Sequence, residues 1–184
     1  MIKIDTFIAI DLKNHFSENI NQLQNEFINI KNKDSLQIIE KNLNQSKGHF
    51  LNGAVIVEID YVQITSLFDW DDLNLLWTGF LTMIIDYLND GFGKTNLSKN
   101  NIEWTLEKII NKRNNLVVFS SKNSMKSRLK GVCEENEFIN EVVVSAHDYL
   151  TLREKDTRTQ NLNEMVEKYN QLKQLIKNKN MTDA

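Results

Sequence analysis

Residues 68–91, FDWDDLNLLWTGFLTMIIDYLNDG, constrain the fold of this chain more than any other stretch. Trp70, Leu73, Leu76, Trp77, Phe80, Leu81, Ile84, Ile85 and Leu88 recur at helical spacing over a wide face, the pattern of a helix covered on most sides. Asp69 suits the N-cap, with Asp71 and Asp72 in the first turn, where carboxylates meet the positive end of the helix. Gly91 follows the last apolar residue as the expected left-handed stop. Such a helix needs a sheet or other helices around it, so the chain has a core. It specifies no chemistry.

On either side the period changes. Ile2, Ile4, Ile8, Ile10 and Leu12 share one face of a segment whose other face carries Lys3, Asp5 and Asp11, the period of a half-buried strand. Ile20, Leu23, Phe27 and Ile30 are spaced for a helix with Ser17 as its N-cap, and a second short helix is expected over 34–44. Residues 45–52 read as a loop, and 53–64 as a strand buried on one face through Val55, Val57, Ile59 and Tyr61. Beyond the long helix, 92–101 reads as a polar loop, 101–110 and 116–121 as a hairpin, and 126–132 as a short strand. Helices over 134–152 and 160–177 complete the order. Strands and helices without regular alternation predict an α+β fold. We expect a single domain over 1–178, with a mostly antiparallel or mixed sheet, the tryptophan helix packed on it and two C-terminal helices. A disordered tail over 179–184 follows.

A chain of 184 residues can bury a sizeable core without disulfides or metals. Its net charge of −3 supplies no general attraction to nucleic acid or to an anionic membrane. The single cysteine, Cys133, excludes an intrachain disulfide and a cysteine-based metal cluster, and suits a reducing compartment. The start, MIKIDTFIAIDLK, lacks the basic and then apolar pattern of a signal peptide. The longest apolar stretch is interrupted by Asn74, Thr78, Thr82 and Asp86, short of the roughly 20 apolar residues of a membrane span. A cytoplasmic protein with no membrane association is expected.

Candidate chemistry is sparse. Gly91-Phe-Gly93-Lys94-Thr95 ends like a phosphate-binding loop, but the leading glycine is missing and the loop leaves a helix instead of a strand. His15, His49 and His147 are isolated from one another, so a metal site would need ligands from distant segments. Cys133 precedes a helix start, which favours a thiolate, yet its only nearby base is His147 along the same helix; a buried thiol is the simpler reading. Glu58 and Asp60, two apart on an expected strand, project from one face and with His49 form the best candidate for a small hydrolase-like enzyme. Ion pairing with a neighbouring strand through Lys126, Arg128 and Lys130 explains them more simply. No cofactor and no metal are expected.

The charged clusters point instead to a partner. Asp69, Asp71 and Asp72 crowd one helix start and Glu134, Glu135 and Glu137 another. Capping explains part of this; an acidic face that docks a basic protein explains the excess. Lys112, Arg113, Lys122, Lys126, Arg128 and Lys130 surround the hairpin and define an RNA-binding alternative, disfavoured because Phe119 is the only aromatic among them. Leu162, Met165, Tyr169, Leu172 and Ile176 form a narrow seam on the last helix, which serves packing within the chain or, alternatively, a homodimer. The expectation is a non-enzymatic cytosolic protein-binding domain, such as a bacterial toxin-neutralising (immunity) protein or a similar regulator.

Overall fold

A computed structural model describes residues 1–11, 16–46, 50–97, 102–109, 115–122, 128–154 and 162–182. Strand β1 (Ile2–Ala9) forms where the isoleucines alternate. The segment after it departs from the helix that its spacing suggests. Asn19, not Ser17, caps a four-residue helix α1 (Ile20–Leu23), a 3-10 turn follows over Gln24–Glu26, and the chain becomes strand β2 (Phe27–Asn29). Pairing decides this, because Ile8 aligns with Ile28 and Ala9 with Phe27, so the backbone groups that would continue the helix go to the sheet instead. Helix α2 (Ser35–Gln45) lies where its periodicity places it.

Strand β3 (Asn52–Ile59) pairs antiparallel with β1, from Ile2 opposite Ile59 to Ile8 opposite Gly53. It ends at Ile59, earlier than expected, in a two-residue turn that leads to β4 (Val62–Gln63). The two-residue strand β5 (Asp71–Asp72) also pairs with β3. Helix α3 (Leu73–Asp90) therefore starts later than Asp69. Its N-cap is Asp72, whose Oδ1 accepts the amides of Asn74 and Leu75 at 2.9 and 3.2 Å. Its stop is as expected: Gly91 has φ 75° and donates its amide to the Tyr87 carbonyl.

The stretch after α3, expected to be a loop, is strand β6 (Phe92–Leu97). It heads a second antiparallel sheet, continued by β7 (Ile102–Ile109), β8 (Leu116–Lys122) and β9 (Arg128–Glu134) in that order. Gly93 faces α3 so closely that a Cβ there would sit 1.9 Å from the Met83 carbonyl oxygen. Helix α4 (Glu135–Glu154) follows β9 directly, and α5 (Asn163–Thr182) runs on beyond the expected end of the ordered chain. The α+β class stands, with the strands divided between two antiparallel sheets.

The core lies where α3 meets both sheets. Trp77, 0% exposed, stacks on Phe80 with centroids 5.7 Å apart, and Phe80 meets Trp104 at 5.3 Å and Phe119 at 5.8 Å. Helix α4 is tied to both neighbours. The Ser145 hydroxyl donates to the Ile4 carbonyl, and the Tyr149 hydroxyl to Asn74 Oδ1, at 2.9 and 2.8 Å. On the other face of the first sheet a smaller cluster joins Ala9, Leu23, Phe27, Ala54 and Leu67, flanked by Phe16 and Trp70. Trp70 thus lies outside the helix to which its spacing assigned it. The seam of α5 is consumed within the chain: Leu162, Met165, Tyr169 and Leu172 are buried in the main core. Among the described residues no helix is long and apolar enough to cross a membrane.

Candidate functional site

Four of the six carboxylates expected on an acidic docking face point inward. Asp69 is 4% exposed, and Asp71, Asp72 and Glu135 are likewise buried. Asp69 Oδ2 accepts the Ser66 amide at 2.8 Å; burial nevertheless pushes its carboxyl up to about 6, against that hydrogen bond. Asp71 Oδ1 accepts the Asp72 amide at 2.8 Å. Asp72 closes a junction: besides capping α3 it accepts the Leu51 amide at 2.9 Å, and burial raises its carboxyl above the ordinary range. These aspartates satisfy backbone donors where the turn, β3 and α3 meet. Glu135 holds Lys179 at 2.5 Å and Lys108 at 3.7 Å, clamping α5 and β7 to the start of α4. Burial, aided by Glu135, raises the Tyr87 phenol beside them. Glu134 and Glu137 remain exposed.

The carboxylate pair of the enzyme reading separates. Glu58 is on β3 directly opposite Lys3 of β1, so its cationic neighbour is Lys3. Strand β9, which carries Arg128 and Lys130, belongs to the other sheet. Asp60 is in the turn beyond the strand, with φ 49°, and no longer shares the face of Glu58. His49 and His15 lie outside the described residues, as do Lys112, Arg113 and Lys126. Among the described residues no three His, Cys, Asp or Glu side chains group so as to hold a metal. Burial pushes the Cys133 thiol up to about 12, the opposite of an activated thiolate. Lys94 pairs with Glu103 across β6 and β7 at 2.6 Å, on a strand that offers no phosphate loop.

What the fold does bring together is the tip of the β3–β4 turn and the start of α4. The Met1 ammonium donates to Asp60 Oδ1 at 2.8 Å and lies 3.9 Å from Glu137 Oε1. Both carboxylates are open to solvent, with side chains 69% and 51% exposed. Glu134 precedes this helix start on β9, and Glu141 follows one turn later, its Oε1 3.5 Å from the Ile4 amide. The turn itself displays Tyr61, 80% exposed, and is followed by the exposed Val62. The hairpin behind is braced. The Thr65 hydroxyl accepts the Val57 amide and donates to the Val55 carbonyl, both at 2.7 Å, and Gly131 of β9 lies flush against Ile59.

No protein-family model, curated protein or solved structure matches this chain. The candidate site therefore rests on its own geometry. Sequence reasoning selected Glu134 and Glu137 and singled out Asp60, but missed Tyr61, assigned to the buried face of a strand. A cleft of about 210 Å³ lies between α3, α4 and α5, lined by Leu88, Asn136, Ile139, Asn140, Ile176 and Lys179; its lysine is already drawn to Glu135.

Proposed function

We propose that this chain is a cytosolic, non-enzymatic protein-binding domain of the toxin-neutralising kind or a similar regulator. It engages a basic protein through the acidic end formed by Asp60, Glu137 and Glu134. The observation that carries this reading is the convergence of Asp60 and Glu137. They come from elements far apart in sequence, both act on the Cys133 thiol and are mostly exposed. Exposed like charges gathered in this way raise the rate of encounter with a positive surface and select against acidic partners. The buried aspartates serve the fold at the opposite end of β3, where Asp71 and Asp72 pair with Gly53 and Asn52. Cys133, the single cysteine, is buried, and a chain that needs no disulfide suits a cytosolic setting.

The experiment is a capture comparison in cells that naturally produce the protein, between wild type and the double reversal Asp60→Lys, Glu137→Lys. A protein with a basic surface that binds the wild type and is lost from the reversal supports the reading. Recovery of RNA, with binding controlled by Lys122 and Lys130, would replace it.

A further inference from the structure

We propose that residues 66–70 form a pH-sensitive flap over the smaller cluster of the first sheet, closed while Asp69 keeps its proton and loosened when it loses it. The inference is independent of the acidic end, which lies at the opposite end of β3. The segment runs between two fixed points. On one side the Thr65 hydroxyl is pinned to β3, accepting the Val57 amide and donating to the Val55 carbonyl. On the other, Asp71 and Asp72 pair with Gly53 and Asn52 of the same strand. The residues between belong to no strand or helix. They close on themselves: the Asp69 amide donates to the Ser66 carbonyl at 2.9 Å, and the Ser66 amide to Asp69 Oδ2 at 2.8 Å. What they cover is thin. Leu67 enters the cluster with Ala9, Leu23, Phe27 and Ala54, and Trp70 meets the Phe16 ring edge-on at 4.6 Å. Leu23 and Phe27 come from the short elements α1 and β2. A segment with so few apolar contacts, outside the regular elements, opens before the core does.

Asp69 makes that opening depend on pH. Its carboxyl is buried, and no ion pair reaches it among the described residues. The charged groups on the elements around the cluster are engaged elsewhere. Asp5 of β1 takes Lys3 at 2.6 Å and Lys31 at 3.4 Å, and Glu58 of β3 lies opposite Lys3. Glu26 of the 3-10 turn accepts the Ser17 amide. Asp71 accepts the Asp72 amide, and Asp72 those of Leu51, Asn74 and Leu75. Asp69 itself feels only its burial, which favours the proton, and the Ser66 amide, which opposes it. Losing the proton leaves a charge in an apolar setting with a single hydrogen bond, a costly arrangement. Lifting the turn returns the carboxylate to water while Thr65 and β5 stay in place. The closed turn holds the proton more tightly than the open one, so opening is rarest below about pH 4 and grows as pH rises through about 6.

The test is amide hydrogen exchange of the full chain, resolved by NMR and divided by intrinsic rates, from pH 4 to 7.5 for wild type and Asp69→Asn. Small additions of urea at each pH separate local opening, which exposes little surface, from global unfolding. In wild type the protection of the Ser66 and Asp69 amides should fall by about 50-fold over that range and respond little to urea. The Leu81 and Ile84 amides of α3 should be far better protected and should fall with urea. In Asp69→Asn the protection at residues 66 and 69 should stay level with pH. Wild-type protection that is independent of pH overturns the proposal. So does a urea dependence at residues 66 and 69 equal to that of α3, since Asp69 then meets water only by global unfolding. An equal fall with pH in Asp69→Asn overturns it too, because another group then drives the opening.

Discussion

Replacing Asp69 by asparagine should make the protein more stable at neutral pH, although it deletes a charge from what reads as a helix N-terminus. Asp69 is buried before α3 begins, and its carboxyl is raised from 3.8 to about 6 because ionising it there means desolvating a charge. The folded state thus holds the proton more tightly than the unfolded chain. This contribution to stability is complete below about pH 4 and is lost as pH rises through about 6. Between those limits the difference is worth about 3 kcal/mol, at 1.36 kcal/mol for each pK unit. The substituted amide would be neutral throughout and would keep an oxygen for the Ser66 amide, which donates at 2.8 Å. The gain over wild type should therefore be near zero at pH 4 and about 2–3 kcal/mol at pH 7.5. Urea unfolding of both proteins across that range, compared at constant m value, measures it. An Asp69→Asn variant destabilised by the same amount at every pH would refute the reasoning, because it would mean that Asp69 is ionised and needed as such in the fold.

Other substitutions probe the rest of the architecture. Trp77→Ala should lose about 3–5 kcal/mol in urea unfolding, the usual range for a buried large aromatic, because Trp77 has no exposed surface and stacks on Phe80 and Tyr149. Gly93→Ala should cost about 1–3 kcal/mol or more, since its methyl group would fall on the Met83 carbonyl; a neutral effect on Tm would deny that β6 packs against α3. Lys179→Met should cost about 2–3 kcal/mol by removing the nearer of the two lysines that hold buried Glu135 and leaving Lys108, 3.7 Å away, as read from the urea midpoint.

The long helix, β1, α2 and the β7–β8 hairpin were legible because each buries one face and so repeats apolar residues at its own period. What escaped had no such repeat. Strand β6 turns Gly93 and Thr95 toward α3, where close backbone approach replaces apolar side chains, so its segment FGKTNL carries no strand signature. Phe27 and Ile30 continue a helical spacing by coincidence, and sheet pairing with β1 outweighs it. The β3–β4 turn was invisible because Asp60-Tyr61 contains neither glycine nor asparagine, the residues that announce such a turn. That omission hid the exposed tyrosine. The acidic helix starts were legible as charge but not as place. Sequence does not tell a solvated cap from a carboxylate that gathers amides from Ser66 or Leu51 inside the fold, and only the pairing of β5 with β3 puts Asp71 and Asp72 there.

The central claim is that the Asp60–Glu137 end is what meets a basic partner. Its most direct test is the association rate constant of the captured partner, measured against ionic strength for wild type and for Asp60→Lys, Glu137→Lys. The account predicts a wild-type rate that falls steeply as salt is raised, and a variant at least about tenfold slower at low salt with little salt dependence left. Equal rates and equal salt slopes for the two proteins would contradict it.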